Sequence, residues 1–201
     1  MKIIFATGNK GKLREAGEIL GEGFELITPA EIGITEEIPE TGETLRDNSI
    51  EKAEYIYKKT GADCFADDTG LEVDALDGAP GVYTARYAGD HKSFDANMDK
   101  LLAELERVGA MKPEQRTARF KCVVTIMLNG EPHCFEGCLE GWIALEKAGC
   151  GGFGYDPVFI PEGKVETLSE LGEDFKNSIS HRGKAMRAMA EWLENNLQTN
   201  K

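Results

Sequence analysis

The apolar residues of this chain fall into two periods, and the switches between them mark its elements. An apolar run over residues 2–7, ended by Gly8, predicts a first strand. Leu13, Ala16, Ile19 and Leu20 then recur at helical spacing, and Phe24 to Ile27 predicts a second strand closed by Pro29. Residues 31–43, rich in Glu, Gly and Pro, read as a loop. Thr44 is placed to cap a helix running to about Lys59 and stopped by Gly61, with Ile50, Ala53, Ile56 and Tyr57 on its apolar face. Cys64-Phe65-Ala66 reads as a short strand running into Asp67-Asp68-Thr69-Gly70, and Gly78-Ala79-Pro80-Gly81 as a turn. Residues 93–107 predict an amphipathic helix through Phe94, Met98, Leu101, Leu102 and Leu105. Over residues 116–128 the period drops to two, with Ala118, Phe120, Cys122, Val124, Ile126 and Leu128 on one face. Asn129-Gly130 then signals a hairpin, with a return strand over roughly 132–144. A second glycine-rich loop covers 149–154, and a final helix over about 182–197 is expected to bury Ala185, Met186, Met189, Trp192, Leu193 and Leu197.

Early strand–helix alternation joined to a long antiparallel hairpin predicts an α/β fold with a mixed sheet. No repeat, low-complexity tract or linker divides residues 1–201, so a single domain is expected. A hydrophobic fraction of 41% is that of a globular chain with a real core, which argues against disorder. Five cysteines at dispersed spacing suggest no disulfide framework. Cys134 and Cys138 lack a second ligand pair at matching spacing and read as small buried residues rather than zinc ligands. The first apolar run is too short for a signal peptide and no run reaches membrane-span length, so the cytoplasm is the expected location. A formal net charge of -13 repels nucleic acid and anionic membranes. An anionic ligand would therefore need a local basic cluster, a bridging metal, or both.

Five segments carry candidate chemistry. Thr7-Gly8-Asn9-Lys10-Gly11-Lys12 leaves a strand and opens a helix, where backbone N–H groups and lysines can hold phosphate. It is not a Walker A loop, because Leu13 stands where a magnesium-binding hydroxyl belongs; the plain alternative is a turn with solvated lysines. Asp67-Asp68 offers hard oxygen ligands for magnesium carried on a phosphate, or is simply an acidic turn. Neighbours in an extended segment point opposite ways, so one of the two would face the cleft. Glu36-Glu37-Ile38-Pro39-Glu40-Thr41-Gly42 adds carboxylates and by itself reads as a solvated loop. Gly151-Gly152-Phe153-Gly154-Tyr155-Asp156-Pro157 could stack a ring on a base and accept from a ring N–H, or could plug the core with its aromatics. Lys176 to Lys184 supplies the local positive charge, or caps a helix with Ser180 beside solvated basic residues.

In order along the chain, Thr7-Gly8-Asn9-Lys10-Gly11-Lys12, Ala66-Asp67-Asp68-Thr69-Gly70-Leu71, the Gly78 to Gly89 segment, Gly151 to Pro157 and Ser180-His181-Arg182-Gly183 together resemble the inosine triphosphate pyrophosphatase family. The resemblance runs from Lys2 to the last helix. It implies an elongated α/β protein whose mixed sheet, flanked by helices, splits into two lobes around a central active-site cleft. It also implies a homodimer and hydrolysis of XTP, ITP and dITP to monophosphate and pyrophosphate by attack of water on the α-phosphorus. By resemblance, Thr7, Gly8, Asn9, Lys10, Gly11 and Lys12 hold the triphosphate. Glu40 and Asp68 bind magnesium, Asp68 also acts on the water, and Thr69 touches substrate. Phe153, Gly154, Tyr155 and Asp156 form the base pocket with His181 and Arg182, and Lys176 contacts phosphate or base. Thr69 stands where many members carry Ser, which keeps the hydroxyl and adds a methyl. The stretch Leu139-Glu140-Gly141-Trp142 matches less clearly and receives no role. Two alternatives stand beside this. One is a related house-cleaning pyrophosphatase for modified pyrimidine or methylated nucleotides. The other is a nucleotide-binding regulatory module without turnover, which would not need the Asp67-Asp68 pair.

Overall fold

The computed structural model describes residues 1–90 and 93–199, with side chains through Asn196. The elements follow in chain order: β1 (Lys2–Phe5), α1 (Lys10–Leu20), β2 (Glu25–Ile27), α2 (Leu45–Thr60), β3 (Cys64–Val73), β4 (Pro80–Gly81), α3 (Phe94–Arg107), β5 (Thr117–Leu128), β6 (Glu131–Ile143), β7 (Phe159–Pro161), α4 (Leu168–Leu171), α5 (Glu173–Ile179) and α6 (His181–Thr199). Among the described residues the strands form one seven-stranded sheet in the order β2-β1-β3-β5-β6-β7, with β4 beside β3. β1 pairs in parallel with β2 and β3, whereas β3 with β4 and β6 with β7 are antiparallel, so this helix-flanked sheet is mixed. Among the described residues no helix is long and apolar enough to cross a membrane.

The chain divides into two compact units: residues 1–68, 122–137 and 181 onward, and residues 69–121 with 138–180. In the first unit the period of two along β1 decides what packs where. Ile3 and Phe5 join Phe65, Cys122, Val124 and Ile126 in a cluster with Ala16 of α1 and Ala185, Met186, Met189 and Leu193 of α6. Ile4 and Ala6 face the other way, with Cys64, Ala66 and Met127 against Ala53 and Ile56 of α2. Phe5 and Phe65 stack with centroids 4.4 Å apart. In the second unit Leu71, Val73, Ala118, Phe120, Leu139 and Ile143 pack against Met98, Leu101 and Leu105 of α3 and Leu168 of α4.

Several boundaries differ from those expected. β3 does not stop at Ala66; it runs ten residues, through Asp67-Asp68-Thr69-Gly70 to Val73. Paired charges let the strand continue where an apolar pattern stops. The cap at Thr44 and the stop at Gly61 hold for α2, since the Thr44 side chain accepts from Asp47 N and Gly61 is left-handed at φ 63°. Its buried face is displaced from the expected one and consists of Leu45, Asn48, Ser49, Lys52, Ala53 and Ile56. Lys176 lies inside a helix, α5, rather than in a lead-in to α6. The expected burial of Leu197 lies outside the described side chains. Asn129 and Gly130 take φ 52° and 87°, the double left-handed geometry of a two-residue hairpin.

Candidate active site

Alternation along β3 sends its two aspartates to different helices. Phe65 points toward α1 and α6, and Asp67, two residues on, shares that face. Asn9 caps α1 by accepting from Gly11 N at 2.9 Å and Lys12 N at 3.2 Å, and its own N–H donates to Thr7 Oγ1 at 3.1 Å. Two of the backbone donors expected to face phosphate are therefore held by Asn9. The cap sets Lys12 in the first turn, with Nζ 3.0 Å from Asp67 Oδ1. From α6, Arg182 Nε donates to Asp67 Oδ2 at 3.0 Å, and Arg182 Nη1 bonds Glu15 of α1. Burial would raise the Asp67 pKa, but Lys12, Arg182 and Lys52 outweigh it and hold the carboxyl well below its usual value. Burial likewise opposes the Arg182 charge, and Asp67 and Glu15 raise its pKa above the ordinary value. The start of α6 is set by a close approach at Gly137 of β6. A Cβ there would lie 2.0 Å from the His181 carbonyl oxygen and 2.9 Å from Ala185 N, so only glycine fits. His181 and Arg182 are both buried. Lys10 and Gly8 are exposed at the mouth of the loop.

Asp68 shares the face of Ala66 and Cys64, toward α2. Its Oδ2 accepts from Asn48 Nδ2 at 3.1 Å and its Oδ1 from Lys52 Nζ at 3.2 Å. Lys52 Nζ also donates to Glu40 Oε1 at 2.6 Å, so Glu40 and Asp68 converge on one ammonium. Burial opposes the charge of Lys52, yet Asp68, Asp67 and Glu40 together raise its pKa. Glu36 belongs elsewhere: it is held by Lys59 Nζ at 2.7 Å and Tyr55 OH at 3.0 Å on an exposed face of α2. The Lys59 bond is the largest cause of its pKa falling to about 2.

These residues fit a divalent cation. Among the described contacts, Glu15, Glu40, Asp67 and Asp68 are interleaved with Lys12, Lys52 and Arg182. Two of these carboxylates, Glu40 and Asp68, already meet at one cation, Lys52. Among the described residues no group of three or more His, Cys, Asp or Glu is arranged to hold a metal. A pair of hard carboxylate oxygens suits magnesium, which takes one or two carboxylates and completes its shell with water and substrate phosphate.

The second unit holds a different arrangement. Asp156 Oδ2 accepts from Phe153 N at 2.6 Å and from Lys176 Nζ at 2.7 Å, closing the glycine loop on itself. Gly152 is obligatory there: its φ is +93°, and a Cβ would sit 2.6 Å from Asp156 Oδ2. Phe153 stays partly exposed, edge-on to Phe94 with centroids 4.7 Å apart, and Lys176 Nζ lies 6.0 Å from its ring centre. Gly154, at φ 65°, turns the chain so that Tyr155 enters the core. The Tyr155 hydroxyl donates to the Thr84 carbonyl at 2.9 Å, and burial pushes its pKa up. Of the two aromatics, one plugs the core and the other faces out. Thr84 belongs to the Gly78 to Gly89 segment, which Asn97 of α3 also holds. Asn97 Oδ1 accepts from Ala88 N at 2.7 Å, and its Nδ2 donates to Ala85 O at 3.1 Å. Thr69 follows Asp68 on β3 and is partly buried.

Sequence reasoning missed Glu15, Asn48, Lys52 and Asn97. For Asn48 and Lys52 a signal existed: both fall on the same helical stripe as Leu45, Ser49 and Ile56, and a lysine on a buried stripe is rarely there without a partner.

Comparison with known proteins adds a family. A model of the Ham1 family matches residues 3–192. A dITP/XTP pyrophosphatase of Porphyromonas gingivalis is 50% identical over 192 residues, covering 96% of this chain and 97% of its own. A protein of the same name from Bacillus subtilis is 48% identical over 195 residues, covering 96% of this chain and 97% of its own. Among solved structures, the Staphylococcus aureus Ham1 protein superposes with a TM-score of 0.86 at 38% identity, covering 98% of this chain and 100% of that one.

Proposed function

The chain belongs to the Ham1 family, and from that premise we propose that it hydrolyses deaminated purine nucleoside triphosphates, XTP, dITP and ITP, to the monophosphate and pyrophosphate. One observation carries the reading of the chemistry: two carboxylates, Glu40 and Asp68, converge on one buried cation at the middle of β3.

Water attacks the α-phosphorus, the bond to the bridging oxygen breaks, and pyrophosphate leaves with the electron pair. Asp68 orients the water and takes its proton. Its Oδ2 is anchored by Asn48, which fixes the direction of the carboxylate and so the approach of the water. Glu40 and Asp68 would hold a magnesium ion, and the ion would supply the positive charge an acidic protein needs to accept a polyanion. Lys12 and Lys52 complete the neutralisation; an ammonium has three donors, so Lys12 can keep Asp67 and still offer a proton to phosphate. The Thr7 to Lys12 loop, with Gly8 open above it, cradles the phosphates, and Thr69 adds a hydroxyl. Asp67 has a separate task, holding Lys12 and Arg182 in place.

In the second unit the Phe153 ring stacks on the base. Phe153, Gly154, Tyr155 and Asp156 shape that loop around the Asp156–Lys176 bond. Its donors meet a purine 6-oxo group, whereas adenine brings a 6-amino donor. A donor left unpaired in a buried site costs about 1–3 kcal/mol, roughly 5- to 160-fold in kcat/KM. His181 and Arg182 are assigned to substrate through the same family likeness. The chain acts as one catalytic domain, as a homodimer, in the cytoplasm, and without nucleic acid or membrane partners.

The test is pyrophosphate release from XTP, dITP, ITP, dATP and dCTP, with magnesium and with excess chelator. The reading expects turnover of the three deaminated purines with magnesium only. Equal kcat/KM on dATP, or undiminished turnover in chelator, contradicts it.

A further inference from the structure

Asn48 is 2% exposed and lies one turn before Lys52 on α2. Both ends of its amide are in use. Oδ1 accepts from Gly42 N at 2.8 Å, and Nδ2 donates to Asp68 Oδ2 at 3.1 Å. The orientation of the amide is fixed by chemistry: a peptide N–H can only donate and an ionised carboxylate can only accept. No other side chain of this length presents an acceptor and a donor at that separation. Aspartate would set a second carboxylate against Asp68, and leucine would keep the shape and lose both bonds.

The loop side of this bond is close-packed. A Cβ on Gly42 would lie 2.6 Å from Asp47 Cβ and 2.8 Å from Asn48 N, so the 40–42 loop touches the helix backbone itself. Glu51, farther along α2, grips the next residue, accepting from Thr41 N at 2.6 Å and Thr41 Oγ1 at 2.8 Å. Glu40 precedes Thr41 directly. The loop bearing one carboxylate and the strand bearing the other are thus fastened to a single planar group on a rigid helix. Lys52 also bridges Glu40 and Asp68, but through an ammonium on a four-carbon stem, which neutralises without fixing a distance.

We propose that Asn48 is a positioning residue that sets the separation and orientation of Glu40 and Asp68 for a divalent cation. The proposal rests on the reading of those two carboxylates as the cation's ligands. Groups that orient metal ligands in this way typically change metal affinity or activity by about 10–100-fold when removed.

The test is binding of manganese(II), followed by loss of the free-ion paramagnetic resonance signal, to the chelator-stripped full chain. Wild type is compared with Asn48→Leu, Gly42→Ala, Glu40→Gln and Asp68→Asn, each with its melting temperature. Because Asn48 is buried, Gly42→Ala serves as the second probe: it pushes a partly exposed loop off the helix without entering the core. The expected result is a rise of about tenfold or more in the manganese Kd for Asn48→Leu and Gly42→Ala. If either variant melts cooperatively and binds manganese as wild type does, while Glu40→Gln and Asp68→Asn bind weakly, the positioning role is overturned and the ligand assignment stands. If Glu40→Gln and Asp68→Asn also bind like wild type, the ligand assignment itself fails and the proposal falls with it.

Discussion

Asp67 is held on both oxygens by cations, with a side chain only 1% exposed; Asp68, next along the same strand, shares one oxygen with a lysine and the other with a neutral amide, at 13%. The chemistry of the two side chains is identical. Their surroundings differ because a strand alternates: position 67 meets the faces of α1 and α6 that carry Lys12, Glu15 and Arg182, and position 68 meets the face of α2 that carries Asn48 and Lys52. A carboxylate saturated by two cations is held ionised and immobile, which suits a structural anchor. A carboxylate with residual exposure and only one cationic partner can still approach a water or a metal ion. On the proposed function, stability and catalysis are separated at adjacent positions.

The largest effect that would sharpen this contrast is on turnover. Asp68→Asn keeps size and shape and removes the proposed base, so kcat for dITP should fall on the order of a hundredfold or more. Its melting temperature should stay within a few degrees of wild type. A near-normal kcat would place the base elsewhere.

Asp67→Asn should break the other side. Removing one partner of a buried ion pair typically costs about 3–5 kcal/mol. For a chain of this size that lowers the melting temperature on the order of 10 °C. Turnover measured below the transition should fall less than for Asp68→Asn. An unaltered melting curve would show that Lys12 and Arg182 stay in place without the Asp67 charge.

A smaller effect concerns acid. The folded pKa of Asp67 lies below its ordinary value of 3.8. Its contribution to stability is therefore complete above that value and drains away as pH falls toward the folded one. Urea midpoints measured from about pH 5 down to about pH 3 should decline more steeply for wild type than for Asp67→Asn. Parallel declines would mean that other carboxylates govern acid unfolding.

Much of the architecture was legible where one physical signal acted alone. The alternation from Ala118 to Leu128 with Asn129-Gly130 after it announced β5, the hairpin and β6. Thr44 and Gly61 bounded α2 through capping chemistry that depends on neighbours in sequence. Legibility failed where burial and polarity parted company. β3 read as ending at Ala66 because Asp67-Asp68-Thr69-Gly70 breaks the apolar pattern, yet its charges are paired by residues up to 115 positions away. Asn48, Ser49 and Lys52 were absent from the expected buried face because their partners, Glu40, Gly42, Ala66 and Asp68, come from other elements. α4 and α5, at four and seven residues, are too short to establish a period, and α5 is where Lys176 acquires Asp156. The segments proposed to carry the chemistry were visible from residue type and order. The groups that hold them in place were not, because they are defined by contacts alone.

On the proposed function, Asp68 directs water onto the α-phosphorus of a deaminated purine triphosphate. Attack at the β-phosphorus would give the same two products, and so would attack by a carboxylate followed by hydrolysis at its carbonyl carbon. A single turnover of dITP with enzyme in excess, in water enriched in oxygen-18, separates the three by mass spectrometry of the products. Water attack at the α-phosphorus leaves one heavy oxygen in the monophosphate and none in pyrophosphate. Label in pyrophosphate, or an unlabelled monophosphate with the heavy oxygen retained on the protein, would contradict it.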